Sequence, residues 1–331
     1  MIFTVILPIY EENFNDFKRL LFSIKKNKFK KYEVIIIDDS KYLGNKTNNF
    51  KELASKNSFR YINNKKKLGL SMSCNLAISL AKGEYCIFLN CDNFILPDFF
   101  SYAYKKIKSK KLDIIMQYNK VLNNDNIYGH YIESQSVRNQ INGARIRKLI
   151  QFNFISYTEG FIAKKKVLIQ SGGFYDHPEN FFRAGEDFIF ASEIRKIPNL
   201  KVSIDFHLTV KHVIPDDKKN FFHNRFIRGY GTPQINYYYQ NKSLIRCNLF
   251  FIFKNAIKIS YILLFPMYFY LSFNFYKKFV NRDILSFKNF LYLKLFEDFS
   301  VIYGEITSLL KINLFFRNKK LINLHDIKTS K

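Results

Sequence analysis

Apolar runs and amphipathic stretches alternate along the first 220 residues. Ile2–Leu7 is a largely apolar run rich in β-branched residues and ended by Pro8, which predicts a buried strand. Phe14, Phe17, Leu20, Leu21 and Ile24 recur at helical spacing. Val34–Ile37 predicts a second buried strand and Phe59–Ile62 a short one. Met72, Leu76 and Leu80, with Ala77 and Ala81, predict a helix that stops before Gly83. Tyr85–Leu89 predicts another buried strand, and Phe99, Ala103 and Ile107 share one face of a further helix. Continuous apolar strands alternating with amphipathic helices predict an α/β fold: a mostly parallel central sheet with helices on both faces.

Ligands of such sheets bind at the carboxyl ends of the strands. Polar and acidic residues follow three of the expected strands: Tyr10-Glu11-Glu12, Asp38-Asp39 and Asn90-Cys91-Asp92. Asp and Asn are also ordinary turn residues, so a single cluster has a bland explanation. Three clusters together favour a site. No GxGxxG follows the first strand and no GxxxxGK[ST] occurs, so a glycine loop is not the phosphate binder. Acidic strand ends offer another route, a divalent cation held by carboxylates that in turn binds a diphosphate.

Charge adds an anionic partner to this picture. The 331 residues carry 53 Lys+Arg against 27 Asp+Glu, a formal net charge of +26. That balance suits nucleic acid, a nucleotide or an acidic membrane face; a Lys-rich compositional bias is the alternative. Basic residues are spread over the whole chain with no nucleic-acid-binding motif, so no nucleic-acid partner is expected. Cys74, Cys86, Cys91 and Cys247 form no CxxC pair, which fits a reducing cytoplasm. Met1 leads into the first apolar run without a basic segment or cleavage site, so no signal peptide is expected.

The last third differs. Residues 221–331 hold 17 Lys+Arg, 5 Asp+Glu and 27 of the 59 Phe and Tyr. This shift sets an expected boundary near 220, with the α/β region over 1–220 and a helical, aromatic- and Lys-rich region over 221–331. Ile259–Phe275 is an uncharged run of 17 residues flanked by lysines and interrupted by Pro266. A full span needs ~20 apolar residues. From Leu285 to Phe316, Leu, Phe and Tyr mix with Lys, as in helices that lie on anionic lipid. Peripheral or re-entrant attachment at the cytoplasmic face is expected, with a single span near 259–275 and a helical subdomain packed on the core as alternatives.

Six short stretches carry a resemblance. Val5-Ile6-Leu7-Pro8-Ile9-Tyr10-Glu11-Glu12-Asn13 is similar to the opening of the family 2 glycosyltransferases. Ile35-Ile36-Ile37-Asp38-Asp39-Ser40 resembles their second strand and its acidic end. Leu68-Gly69-Leu70 through Asn75, then Gly83 through Asn93, resembles the segment ending in the family's DxD. Gly172-Gly173-Phe174, then Gly185-Glu186-Asp187-Phe188, resembles the acceptor-side segment with its ED pair. The likeness covers roughly residues 1–230.

The resemblance implies a GT-A fold and an inverting transfer from a nucleotide-diphosphate sugar to a glycan or lipid-linked acceptor, in surface polysaccharide or glycolipid synthesis. It implies a nucleotide pocket formed by Pro8, Tyr10, Glu11, Asp38, Asp39 and Asn90. It implies Asp92 and His212 as ligands of Mn²⁺ or Mg²⁺, and Arg225 and Arg228 as a diphosphate clamp. It implies Asp187 as general base, in the first turn of a helix after Gly185, with Glu186 positioning the acceptor. Asn90 stands where the family has Asp, and Asn93 where it often has Asp. Two missing charges weaken the metal site, and a degenerate, non-catalytic scaffold that binds sugar nucleotides at the membrane is the alternative reading.

Overall fold

The computed structural model describes residues 1–40, 45–135 and 160–327. The first half alternates strand and helix as the apolar pattern predicts: β1 (Phe3–Ile9), α1 (Phe14–Lys25), β2 (Tyr32–Asp38), α2 (Asn45–Lys56), β3 (Arg60–Asn63), α3 (Leu70–Leu80) and β4 (Tyr85–Phe88). Then come β5 (Asn93–Ile95), α4 (Phe99–Lys110), β6 (Ile114–Val121) and a helical stretch α5 (127–135). The chain continues with β7 (Ile162–Lys164), α6 (Lys165–Gln170), α7 (Glu186–Ile194) and β8 (Val202–His212).

All eight strands form one sheet in the order β3-β2-β1-β4-β7-β6-β8-β5. The left half is parallel, and β7 and β5 enter antiparallel. Alternate residues of β1 feed two cores. Phe3, Val5 and Leu7 pack with Phe17 and Leu20 of α1 and Phe99 and Phe100 of α4. Ile6 packs on the other face with Ala77 of α3, Leu168 of α6 and Phe190 of α7. Both faces of the strand are therefore buried, which is why its sequence is apolar without alternation.

Pro8 does not end β1. The strand runs on to Ile9, with Pro8 opposite Ile37 of β2. On its other side the pairing with β4 stops at Ile6. A missing N–H is tolerated where no neighbouring strand needs it.

Beyond β8, α8 (Lys218–Gln234) runs into a π-turn (Ile235–Tyr239), followed by α9 (Leu244–Leu263), α10 (Phe265–Phe279) and α11 (Phe287–Leu314). The 28-residue α11 crosses α8 at two glycines. A Cβ on Gly229 would lie 2.1 Å from the Val301 carbonyl oxygen, and one on Gly304 2.2 Å from that of Phe226. The uncharged run Ile259–Phe275 is divided between α9 and α10, which meet at 86°, with Pro266 opening the second helix. Among the described residues no single helix is long and apolar enough to cross a membrane; the bent pair passes that test only jointly. The region after 220 also packs on what precedes it: Phe221, Tyr276 and Phe290 share a cluster with Val121 and Tyr131, and Phe251 and Ile312 share one with Phe182 and Ile189. After α11 the chain returns to the sheet domain, where Ile322 bridges Asp176.

Candidate active site

Three strand ends lie side by side because β2, β1 and β4 are adjacent and parallel. At the end of β1, Pro8 is buried and Tyr10 is exposed, with the Lys67 ammonium 4.0 Å from its ring centre. Glu11 takes a left-handed φ of 54°, and its N–H donates to Ser40 Oγ at 3.0 Å. Such a conformation is strained for a residue with a Cβ, and strain of this kind gathers at functional sites.

The two aspartates after β2 are both engaged. Asp38 accepts from the Tyr61 hydroxyl and from the Ser40 N–H, the latter at 2.9 Å. The neighbouring carboxylate and burial push the Tyr61 phenol far above its ordinary range. Asp39 accepts from Asn64 Nδ2 at 2.7 Å and from the N–H groups of Leu68 and Gly69, each at 2.8 Å. These contacts fix the loop Leu68-Gly69, where Gly69 has φ +82°. Asp39 thus shapes the loop beside the strand ends, a role that its place after a strand did not reveal.

The end of β4 explains a departure from the family pattern. Asn93 is fully buried. Its Oδ1 accepts from the Asn90 N–H at 2.8 Å, and its Nδ2 donates to Asp92 Oδ1 at 2.9 Å. A carboxylate at 93 would lack that donor and would face Asp92 with a like charge. The neutral amide instead orients Asp92. Antiparallel pairing then sets Asn93 opposite His212, and the Val213 N–H donates to the Asp92 carbonyl at 3.1 Å. Asp92, just before β5, therefore lies beside the end of β8 that carries His212, 120 residues away in the chain.

Glu186 and Asp187 occupy the first turn of α7 after Gly185, whose φ is +94°. Any Cβ there would sit 2.2 Å from Ile235 Cδ1. Asp187 Oδ1 accepts from the Phe188 N–H at 2.7 Å. The helix N-terminus favours both negative charges.

These two acids, His212, Arg225 and Arg228 line one cavity of about 940 Å³. Asp92 is not in its lining; it precedes Asn93, which pairs with the lining residue His212. Pro8, Tyr10, Glu11, Asp38, Asp39 and Asn90 also lie outside that lining, at the strand ends. Arg225 is 4% exposed, not a solvated surface base. It pairs with Glu297 at 3.4 Å, and burial lowers its guanidinium to about 10. Its Nε is buried without a hydrogen-bond partner among the described residues. Glu297 also accepts from the Tyr131 hydroxyl.

Several lining residues escaped the sequence reading. Lys294, Glu297 and Asp298 come from α11, and Tyr261 and Phe275 from α9 and α10. Acids on a mixed helix look solvated in sequence. Their spacing on one α11 face, Lys294, Glu297 and Asp298, was the available signal. Among the described residues no three His, Cys, Asp or Glu side chains gather to hold a metal ion.

A half-parallel α/β sheet with carboxylates at its strand ends and an acid opening a helix beside them is the architecture of a GT-A enzyme. Residues 4–172 match Glycosyl transferase family 2, and the chain belongs to that family. Glycosyltransferase GlyG of Streptococcus pneumoniae serotype 4 (strain ATCC BAA-334 / TIGR4) is 26% identical over 121 residues, 34% of this chain and 37% of that protein. The chain thus spans little more than a third of the length of this curated relative. A solved structure of the mannosyltransferase PcManGT from Pyrobaculum calidifontis, in complex with GDP-Man and Mn²⁺, has a TM-score of 0.59 at 14% identity, covering 96% of this chain and 88% of that one. Residues 1–349 of S. aureus TarS, in complex with UDP-GlcNAc, give 0.50 at 16% identity over 99% and 98% of the two chains.

Proposed function

We propose that this chain is an inverting glycosyltransferase. It moves one sugar from a nucleotide-diphosphate donor to a hydroxyl of a glycan or lipid-linked acceptor, for a surface polysaccharide or glycolipid. One observation carries the reading: Glu186, Asp187, His212, Arg225 and Arg228, scattered over 43 residues, line a single cavity whose wall adjoins Asp92.

Asp187 takes the proton of the acceptor hydroxyl as its oxygen attacks the anomeric carbon. The bond from that carbon to the diphosphate breaks on the opposite side, and configuration inverts. Glu186 positions the acceptor. Arg225 and Arg228 meet the charge that grows on the departing diphosphate, and the orphaned Nε of Arg225 is a donor that a phosphate oxygen would satisfy. Tyr10 and Glu11 line the nucleotide side.

Asp92 and His212 would hold Mn²⁺ or Mg²⁺. Two protein ligands suit a cation that takes its remaining ligands from phosphates and water. When bound, the ion neutralises charge on the leaving diphosphate. The complexes of PcManGT with GDP-Man and Mn²⁺ and of TarS with UDP-GlcNAc support this donor class. The second reading, a non-catalytic sugar-nucleotide scaffold, rests on Asn90 standing where the family has Asp.

The helices after 220 attach the enzyme to the cytoplasmic face of an anionic membrane, supported by the bent α9–α10 pair and its exposed apolar residues. The deciding experiment is a screen of nucleotide sugars for release of nucleoside diphosphate, with and without Mn²⁺. Release that depends on Asp187 supports the enzyme. Binding of donor with no release under any condition supports the scaffold.

A further inference from the structure

Helix α9 is built inside out. Three of its polar side chains turn toward the protein: Asn248 exchanges two hydrogen bonds of 3.0 Å with Asn313 of α11, Lys254 pairs with buried Glu305, and Lys258 pairs with Asp298 at 2.8 Å. Cys247 and Phe251 are buried beside these groups, but Ile245, Leu249, Ile252, Phe253, Ile257 and Leu263 turn away and are each 60% exposed or more. A water-facing helix has the opposite arrangement. Soluble monomers rarely leave such a contiguous apolar face open.

At the elbow between α9 and α10 this face folds into a groove of about 340 Å³, lined by Phe253, Ala256, Ile257, Leu264, Met267 and Tyr261. Tyr261 lines the large cavity as well, together with Leu271 and Phe275. One side chain therefore joins an almost wholly apolar groove to the cavity that holds Asp187. Lys277 and Lys278 stand at the far end of α10, and the region from 221 onward carries a net charge of +12. Basic residues beside an exposed apolar face match an anionic lipid surface.

We propose that the elbow groove is a hydrocarbon subsite. The acceptor is a lipid-borne hydroxyl compound whose chain lies along Ile257, Leu264 and Met267 and whose head group passes Tyr261 to reach Asp187. This selects the lipid-linked acceptor over a free glycan, and it rests on the reading of that cavity as the transfer site. Each methylene that the groove takes from water strengthens binding about fourfold.

The chain has no tryptophan, so Met267→Trp in the full-length protein places a single fluorophore in the groove. Titration with ω-bromododecyl phosphate is expected to quench it saturably, and inorganic phosphate is expected to leave it unchanged. Ile257→Asp and Phe253→Asp, both at exposed positions that the fold tolerates, are each expected to weaken quenching by about tenfold or more. Asp187→Asn is expected to leave quenching as it is. Absence of saturation, or equal quenching in the Asp variants, overturns the subsite. Quenching by brominated phosphatidylglycerol vesicles but not by the alkyl phosphate also overturns it, because the face is then only a membrane platform. The two readings fail separately. An Asp187→Asn enzyme with full transfer activity removes the cavity's role, and with it the acceptor assignment, even if the groove binds the chain. An inactive Asp187→Asn enzyme without quenching removes the groove alone.

Discussion

Asn75 and Phe174, 99 residues apart, exchange two hydrogen bonds of 2.8 Å: the amide nitrogen donates to the Phe174 carbonyl, and the amide oxygen accepts from its N–H. The clamp ties the middle of α3 to the turn Gly172-Gly173, where both glycines have positive φ. A Cβ on Gly173 would lie 2.4 Å from the Asn75 oxygen. Two of the sequence segments that carry the family likeness are therefore parts of one joint. Asn75→Ala would leave a buried donor and a buried acceptor unpaired, at ~1–3 kcal/mol each. Chemical denaturation should register a loss of roughly 2–4 kcal/mol. A change below about 0.5 kcal/mol would mean that water repairs the joint.

The crossing of α8 and α11 sets the width of the cavity. Gly229 and Gly304 leave no room for a methyl group against the opposite backbone. Gly229→Ala and Gly304→Ala should each push the helices apart and destabilise the protein by about 1–3 kcal/mol. Arg225 and Glu297 lie on these two helices, so donor affinity should fall with stability. Tyr303→Ala, at an exposed position next to the crossing, should leave both nearly unchanged. A Gly304→Ala enzyme with full stability would show that the helices can slide without cost.

Chemistry and donor binding should separate at two aspartates. Asp187→Asn keeps the shape of the α7 N-terminus but removes the base, so transfer should drop by about 10²–10⁴-fold. Nucleotide affinity, measured by calorimetry, should stay within about threefold of the parent. Asp92→Asn should leave the fold intact and raise the Mn²⁺ concentration needed for half-maximal release of nucleoside diphosphate. An unchanged metal requirement would place the cation elsewhere.

The strands were legible because burial on both faces leaves an uninterrupted apolar signature, as in Val34–Ile37 and Tyr85–Leu89. The α7 start was legible for a local reason: a glycine able to take positive φ, then two acids suited to a helix N-terminus. The two antiparallel strands of the sheet were not. β5 and β7 have three residues each, too few to show a period, and only their neighbours hold them extended. The burial of Arg225 against Glu297 of α11 was not legible either. Nor does the sequence show that Asp39 holds the Leu68–Gly69 loop. In each case the information lies in a partner distant along the chain, which no local pattern contains.

Asp176 should give stability a pH dependence opposite to that of an ordinary surface carboxylate. It is 1% exposed, and burial raises its carboxyl from 3.8 to about 7, against the opposing pull of the N–H groups of Phe182 and His177 at 2.7 and 2.8 Å. A carboxyl with a folded value above its unfolded one binds its proton more tightly in the folded state. Its stabilising contribution is complete below the unfolded value and is lost as pH rises through about 7. The slope reaches at most about 1.4 kcal/mol per pH unit. Asp176→Asn keeps the oxygen that accepts both N–H groups and removes the charge. The parent protein should therefore lose stability relative to this variant as pH climbs across that window, and the two should run parallel well below it. Denaturant midpoints of both proteins over a pH series measure the difference. A constant difference at every pH would mean that Asp176 binds its proton equally well in the folded and unfolded protein; a parent that gains stability relative to the variant as pH rises would mean that its two backbone donors hold it ionised.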